Sequence, residues 1–593
     1  MSASLPSRVG GWGLAGVLAG AALIPWLAPN AYIIQVLAFT GLNVMMAVGL
    51  NLLMGYAGQV SLGHAGFYGL GAYVSGVLGA KLGLSPWFGM PLAAGATGVL
   101  AYIVGIPTLA LKSYYLAMAT LGIGIVLHLA FVQLYWWTGG SSGLAGLPPW
   151  DIGPLHFTSD LAHYHLIWVF AGAALWLARN LVNSAVGRAL RAIGDSEVAA
   201  SAMGVDAASA KRGVFVLSAV YASVAGSLYA HYITVISPEI FSFLASVVLI
   251  VMVAIGGIGR YWGPVLGALL LTVLPEYLRT YGDYEVPLYG LALIVVMLFF
   301  PHGLAGLLER RATRTTTVRV EPVAHAGVAT PAMAGPLLEV RGVTKHFGGV
   351  RAVHDCSFDV GAAEIKAIIG PNGAGKTTLF NIVTGIYPPT AGEVAFRGRR
   401  LTGSPPHEVA RRGVYRTFQN VQLFGSLSVI ENVMVGGAGR QPDRFVGAIL
   451  GLRGQVEADR ACLARALGCL ALVGLDALAF APAGSLPFGQ QKLVEVARAL
   501  AGEPALLLLD EPAAGLNSTE KVEMMRLIGR LRALGLAVLI IEHDMRLVMG
   551  VSDRVVVFDH GEKVAEGTPA EVQADPAVVK AYLGEDPDTH ARG

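Results

Sequence analysis

The chain has 593 residues, 54% of them hydrophobic and only 13% charged, with a formal net charge of +2. An ordinary soluble protein carries about 25% charged residues, so a large part of this chain is built for apolar surroundings. The net charge says little about partners, and no basic tract or interleaving of aromatic and basic residues points to nucleic acid.

The apolar excess is concentrated in residues 11–308, an almost unbroken succession of apolar segments. The first, 12–28, follows Arg8. No small-residue cleavage pattern follows it and another long apolar segment begins at Ala31, so a membrane helix is expected there rather than a leader peptide. Further spans are expected near 31–54, 60–80, 86–106, 114–137, 164–182, 213–235, 243–258, 263–280 and 286–301. Several are short and glycine-rich, which gives about eight to ten crossings.

Cationic residues orient the loops. No Lys or Arg lies between Lys112 and Arg179, so the 139–164 loop belongs outside; Arg179, Arg188, Arg191, Lys211 and Arg212 keep the next loop inside. Counted from an inner Arg8, ten spans return the chain to the inside before Arg310 and Arg311, with Lys81 as a lone dissent.

Two stretches of this half carry more than hydropathy. In GYAGQVSLGHAGFYGLGAY, residues 55–73, the glycines permit close backbone approach or a helix broken at membrane depth, and Gln59, Ser61 and His64 add polar groups beside it. These groups either line a polar solute's path or bond neighbouring helices. In GRALRAIGDSEVAASAMGV, residues 187–205, the small residues from Gly187 to Gly204 allow close docking, while Arg188, Arg191 and Glu197 can fix register. The alternative is an ordinary positive-inside loop.

Residues 309–336 are rich in Thr, Ala, Pro and Arg and lack apolar periodicity, so a linker is expected between a membrane unit (1–308) and a second unit (337–593). Its basic cluster reads as a stop-transfer flank, with a regulatory lipid contact as the alternative. Cys356, Cys462 and Cys469 all lie in the second unit, which fits a reducing compartment without disulfides. Cys462 and Cys469 have no nearby His, so packing is the reading preferred to metal.

The second unit holds a phosphate-binding loop. An apolar strand over 365–369 runs into Gly370, Pro371, Asn372, Gly373, Ala374 and Gly375, then Lys376, Thr377 and Thr378 open a helix. The glycines turn N–H groups toward phosphate oxygens, Lys376 adds charge at the β- and γ-phosphates, and Thr377 offers a hydroxyl to Mg²⁺. A later apolar strand, 506–509, ends in Asp510, placed to hold Mg²⁺ through water, and Glu511, placed to polarise an attacking water. The strand over 537–541 delivers Glu542 and then His543, which can sense the γ-phosphate. The chemistry expected is hydrolysis of a nucleoside triphosphate.

Residues 337–593 resemble the ATPase domain of ABC transporters. Leu486, Pro487, Phe488, Gly489 and Gln490 match the signature motif, Gln419 in RTFQN the Q-loop, residues 514–517 the D-loop, His543 the switch histidine, and Phe347 the aromatic that stacks on adenine. The resemblance implies catalysis by Lys376, Glu511 and His543 on ATP, with Thr377, Gln419 and Asp510 around Mg²⁺. Pro487 and Phe488 stand where the family commonly has Ser and Gly, and Asn517 where it has Asp. The signature serine contact is thereby lost, while the Gly489 N–H and its helix N-terminus remain.

RTFQNVQLF at 416–424, DEPAAGLN at 510–517 and the tail at 575–584 are similar to the ATPases of branched-chain amino acid importers, and residues 1–308 resemble the permease of that family. The resemblance implies a multidomain chain: an N-terminal polytopic all-α permease and a C-terminal α/β P-loop ATPase. It further implies a multi-pass bacterial inner-membrane protein with its ATPase in the cytoplasm. Expected partners are a second permease, a second ATPase, a periplasmic solute-binding protein and the lipid bilayer. Branched-chain amino acids are the expected cargo, with amides or urea as alternatives. An exporter half-transporter is a first rival, and a membrane-anchored ATPase that signals or remodels without moving solute is a second, from another class. Residues 187–205 are similar to the coupling helix that docks on the ATPase.

Overall fold

The computed structural model describes residues 11–27, 30–111, 114–152, 155–157, 159–309, 335–440 and 445–583. The expected linker lies almost wholly outside them. Among the described residues a helix occupies every expected span: Gly11–Leu23, Ala31–Asn51, His64–Leu82, Pro86–Thr108, Tyr114–Gln133, Asp160–Val182, Ala207–Ile233, Phe243–Gly256, Gly263–Leu278 and Glu285–Phe299. Five apolar helices have the length to cross a membrane: Ala31–Tyr56, Pro86–Thr108, Tyr114–Gln133, Asp160–Val182 and Ala207–Ile233. His64–Leu82, with 19 residues, is long enough but less apolar, and the remaining helices are shorter, so the bundle is uneven in length.

The bundle has two distinct ends. At one, Leu144–Ala145 pairs antiparallel with Val235–Ile236, Trp87 donates to the Asp151 carbonyl at 3.0 Å, and a His231 ring nitrogen lies 2.7 Å from the Pro148 carbonyl. At the other, Asn51 donates to the Arg260 carbonyl and accepts from the Gly259 N–H, both at 2.9 Å, and Lys211 reaches the Leu109 carbonyl at 3.4 Å. The loops thus sort by alternation, in the order the cation count requires.

The glycine-rich break after Ala31–Asn51 begins beside a loop at one end of the bundle and runs back into it, where the Leu62 N–H donates to the Thr120 hydroxyl at 3.1 Å. The helix widens into a π turn at Leu52–Tyr56 and ends beside the 184–206 loop, where a Cβ on Gly58 would lie 3.3 Å from the Gly194 Cα. Inside the bundle, hydroxyls bond across helices: Thr97 to Ser223 at 3.0 Å, Ser227 to the Gly71 carbonyl at 3.1 Å and Ser75 to His231 at 2.8 Å. Such bonds hold helices together where apolar surface gives no preference over lipid.

The second unit is built on a six-stranded sheet in the order Val414–Arg416, Leu506–Asp510, Ala537–Ile541, Ile365–Ile369, Arg554–Asp559, Glu562–Gly567, parallel except for the last strand. Ile365–Ile369, Leu506–Asp510 and Ala537–Ile541 are buried at every position, which explains their mainly apolar composition, broken only by Lys366 and by Asp510 at its strand tip. A four-stranded antiparallel sheet, Val350–Val360, Leu338–Phe347, Ala391–Phe396 and Arg399–Arg400, carries Phe347 at its rim. Helices Val429–Gly436, Arg453–Leu472 and Phe488–Leu500 pack together as a helical lobe. The functional loops leave the carboxyl ends of the parallel strands, where open α/β sheets bind ligands.

Candidate active site and its contact with the helical bundle

The phosphate loop follows from its strand. Gly375 has φ +94°, and a Cβ there would lie 2.1 Å from the Ala352 carbonyl oxygen, so only glycine passes. Asn372, Gly373 and Thr377 are exposed at the crown of the loop, and Ala374 is buried under it. Lys376 opens the helix Lys376–Val383 and donates to the carbonyls of Gly370 at 2.6 Å and Pro371 at 2.8 Å. Burial lowers its pKa, against the pull of Glu511 and Asp510.

Asp510, fully buried at its strand tip, is bridged through Oδ2 to Arg416 at 2.6 Å, and Arg416 also bonds Asn381 of the phosphate-loop helix. Burial raises the Asp510 pKa and Arg416 opposes it. The other carboxylate oxygen, Oδ1, is buried without a hydrogen-bond partner among the described residues. An orphaned anionic oxygen beside a hydroxyl-bearing loop is a donor set that fits a hard divalent cation such as Mg²⁺.

Glu511 sits at φ +48°, an uncommon conformation for a residue with a side chain. Its N–H donates to the Ile541 carbonyl at 2.9 Å and its carbonyl accepts from Lys492 Nζ at 2.6 Å. Its carboxylate lies 3.8 Å from His543 Nδ1, and the His543 side chain is 62% exposed. Glu542, fully buried, accepts from the N–H groups of Ala513 at 2.7 Å, His543 at 2.9 Å and Asp544 at 3.2 Å. It ties the turn after the Leu506–Asp510 strand to the turn after the Ala537–Ile541 strand, a role its place in the sequence gave no sign of.

Gln419 is exposed in the segment that leaves the Val414–Arg416 strand. Phe347 is 44% exposed and meets Tyr387 edge to face with centroids 5.3 Å apart, Lys345 lying 5.2 Å from the Phe347 ring. In the signature segment Leu486 is buried, Pro487 is the N-cap of the Phe488–Leu500 helix, and Gly489 and Gln490 are half-buried in its first turn. No hydrogen bond or ion pair among the described residues joins 486–490 to 370–378. Asn517 accepts from Thr519 and Glu520 N–H groups at 3.0 Å and caps the Ser518–Ala533 helix. Its departure from the family's Asp therefore keeps a structural task.

The 184–206 loop of the helical bundle docks on this unit. Ser184 and Ser196 cap two short helices, Ala185–Asp195 and Glu197–Ala202. Ala192, Ile193, Ala199, Ala200 and Met203 are buried in one apolar cluster with Phe424, Leu427 and Val433 of the ATPase. Arg188 reaches both carboxylate oxygens of Asp459, at 2.8 and 3.4 Å. Asp195 accepts from the Ser426 N–H at 3.0 Å and hydroxyl at 2.7 Å, and Arg411 Nε donates to the Gly204 carbonyl at 3.2 Å.

Two residues of the loop serve differently from expectation. Glu197 pairs with Lys211 of the following helix, Ala207–Ile233, at 2.8 Å instead of fixing register on the ATPase; Asp195 does that. Arg191 lies over the Tyr56 ring at 4.7 Å, bracing the end of the preceding break, and Gly187 packs on the Leu181 and Val182 carbonyls within the bundle.

Of the polar residues at 59–64, Gln59 is half-buried, bonds the Ala57 carbonyl at 2.9 Å and faces a cavity of about 670 Å³ shared with Ser196, Glu197 and Lys211. His64 is fully buried, with one ring nitrogen 3.0 Å from the Ser61 hydroxyl and the other 2.5 Å from that of Ser218. That is the geometry of a residue joining two helices.

Comparison with known proteins agrees with both halves. Residues 32–301 match the family model described as branched-chain amino acid transport system / permease component, residues 353–514 that of the ABC transporter, and residues 562–588 that of the branched-chain amino acid ATP-binding cassette transporter. The high-affinity branched-chain amino acid transport ATP-binding protein BraF of Pseudomonas aeruginosa is 43% identical over 254 residues, all of that protein and 43% of this chain. LivG of Salmonella typhimurium, 44% identical, and LivG of Escherichia coli, 43% identical, carry the same description and are covered to the same extent.

Proposed function

We propose that this chain, which belongs to the branched-chain amino acid ABC transporter family with its permease and ATPase components fused, imports branched-chain amino acids across the bacterial inner membrane. The observation that carries the reading is the shared core between residues 192–203 of the permease loop and residues 424–433 of the ATPase, fastened by Arg188 and Asp459. Hydrolysis can drive a gate only through a contact that moves with both.

The site residues take these roles. N–H groups of 370–378 and the Lys376 ammonium bind the phosphates once Lys376 leaves the Gly370 and Pro371 carbonyls. Phe347 stacks on adenine. Thr377, Asp510 and Gln419 hold Mg²⁺, which when bound neutralises charge on the β- and γ-phosphates. Glu511 orients and polarises the attacking water, and His543, within 3.8 Å of it, bonds the γ-phosphate and registers its loss.

Each nucleotide is completed by the 486–490 signature of a second ATPase, so the working assembly holds a second permease and a second ATPase, with a periplasmic binding protein that supplies the amino acid. ATP closes the ATPase pair, draws the 184–206 loops together and switches the access of the bundle; hydrolysis releases them. The test is uptake of radiolabelled leucine by proteoliposomes containing the chain, its partners and the binding protein. Uptake against a gradient should stop with Lys376→Ala or Glu511→Gln. Undiminished accumulation in either variant would overturn the reading.

A further inference from the structure

Lys492 lies in the helix Phe488–Leu500, which begins at the signature segment, yet its side chain leads to the catalytic strand. It is 3% exposed, and its ammonium donates to the Glu511 carbonyl at 2.6 Å. That carbonyl belongs to the residue whose backbone is held at φ +48°, with its N–H fixed on Ile541. A non-glycine residue persists there only when its surroundings hold it. The Lys492 bond is the shorter of two that the Glu511 carbonyl accepts, the Ala514 N–H reaching it at 3.2 Å, and the left-handed turn sets where the Glu511 carboxylate points.

The other end of the connection is the signature itself. Lys492 Nζ is 5.7 Å from the Phe488 ring, one helical turn earlier, and Phe488 lies over Gly515 of the D-loop, where a Cβ would come within 2.8 Å of the ring. Phe488 is 46% exposed, so a nucleotide or partner chain arriving at the signature meets it directly. The ammonium is surrounded by Glu495, Glu542, Glu511 and Asp510, so its charge also offsets the acidic strand tips.

We propose that Lys492 is a positioning residue that carries the state of the signature segment to the Glu511 peptide of the same chain. The inference rests on the reading of Glu511 as the residue that polarises water. In a paired assembly the signature of one chain completes the partner's site while Glu511 serves its own. Lys492 then makes occupancy of one site felt as the alignment of the base in the other, and ATP hydrolysis becomes cooperative.

The experiment is steady-state ATP hydrolysis and ATP-analogue binding by the full chain in its assembled transporter, for wild type, Lys492→Met, Lys492→Arg and Glu511→Gln. Lys492→Met should lower kcat by up to about a hundredfold, the scale set by a misplacement of about 1 Å, while the Kd for ATP stays unchanged. The sigmoidal dependence of rate on ATP should flatten, and Lys492→Arg, which keeps charge and donors, should recover most of the rate.

Wild-type kcat in Lys492→Met, or a loss confined to ATP affinity, would overturn the proposal. If Lys492→Met fails to fold, Lys492→Gln keeps a donor without the charge; it should show a smaller fall in kcat at unchanged Kd, and a wild-type rate there is equally fatal. Normal hydrolysis by Glu511→Gln would instead strike the reading of Glu511, so the two failures are distinguishable.

Discussion

Arg188 of the permease loop and Asp459 of the ATPase, separated by 271 residues in sequence, meet at 2.8 Å with their side chains only 5% and 15% exposed. Asp459 raises the Arg188 pKa against the effect of burial, so the charge is retained inside the contact. Removing one partner of such a pair leaves the other charge buried, at a cost of about 2 to 5 kcal/mol. Asp459→Ala is expected to cut leucine uptake per ATP hydrolysed severalfold or more. The exchange Arg188→Asp with Asp459→Arg should recover part of it, measured as the ratio of uptake to phosphate release in proteoliposomes.

A second buried pair sets acid stability. Lys366, fully buried in the strand that leads to the phosphate loop, lies 2.9 Å from Glu566 on the antiparallel edge strand. Burial raises the Glu566 pKa, but hydrogen bonds from Lys366 and Lys563 more than offset it and the net direction is down. Because the folded value lies below the ordinary value of about 4.3, this stabilisation is complete above that pH and is lost as pH falls through the folded value. With Glu364 still 3.5 Å from the Lys366 ammonium, Glu566→Gln is expected to destabilise the ATPase half by about 1.5 to 3 kcal/mol near neutral pH and to flatten the acid limb of its stability curve, both read from urea unfolding at a series of pH values.

What was legible in the sequence was what local chemistry encodes. Runs of apolar residues marked the ten helices and the three buried strands, because burial on both faces leaves no room for alternation. The phosphate loop, Asp510 and Glu511 were legible because their spacing is fixed by one strand and one turn. The pairings were not. Asp195 and Glu197 are both acidic residues of one loop, and only the fold turns the first toward Ser426 and the second toward Lys211. Lys492 and Arg416 are ordinary cations in sequence, and their contacts with Glu511 and Asp510 cross between elements. The glycines at 55–63 signalled a break but not its depth, which depends on where the neighbouring loops lie.

Phe347 and Tyr387 form one edge-to-face pair at the rim of the antiparallel sheet, with Lys345 against both rings. The exposed face of Phe347 is the stacking surface assigned to adenine. Base–aromatic stacking contributes about 1 to 3 kcal/mol per base, so Phe347→Ala should raise the Kd for ATP by about 5- to 150-fold. The kcat at saturating ATP should stay near wild type, since the ring is not among the groups around the γ-phosphate. Equilibrium binding of a fluorescent ATP analogue, with kcat measured alongside, checks both halves of the expectation.

Gly204 closes the permease loop against the ATPase. It adopts φ +88°, and a Cβ there would sit 2.9 Å from the Gly439 Cα and 3.7 Å from the Arg411 side chain, whose Nε donates to the Gly204 carbonyl. Gly204→Ala therefore combines a left-handed conformation, costing about 1 to 2 kcal/mol, with a backbone clash that only a shift of the loop can relieve. The ATP site lies on other elements and keeps its geometry. Hydrolysis is accordingly expected to persist near the wild-type rate, while solute uptake per ATP falls. Simultaneous measurement of phosphate release and leucine accumulation separates the two, and a parallel fall in both would mean that the loop also supports the ATPase fold.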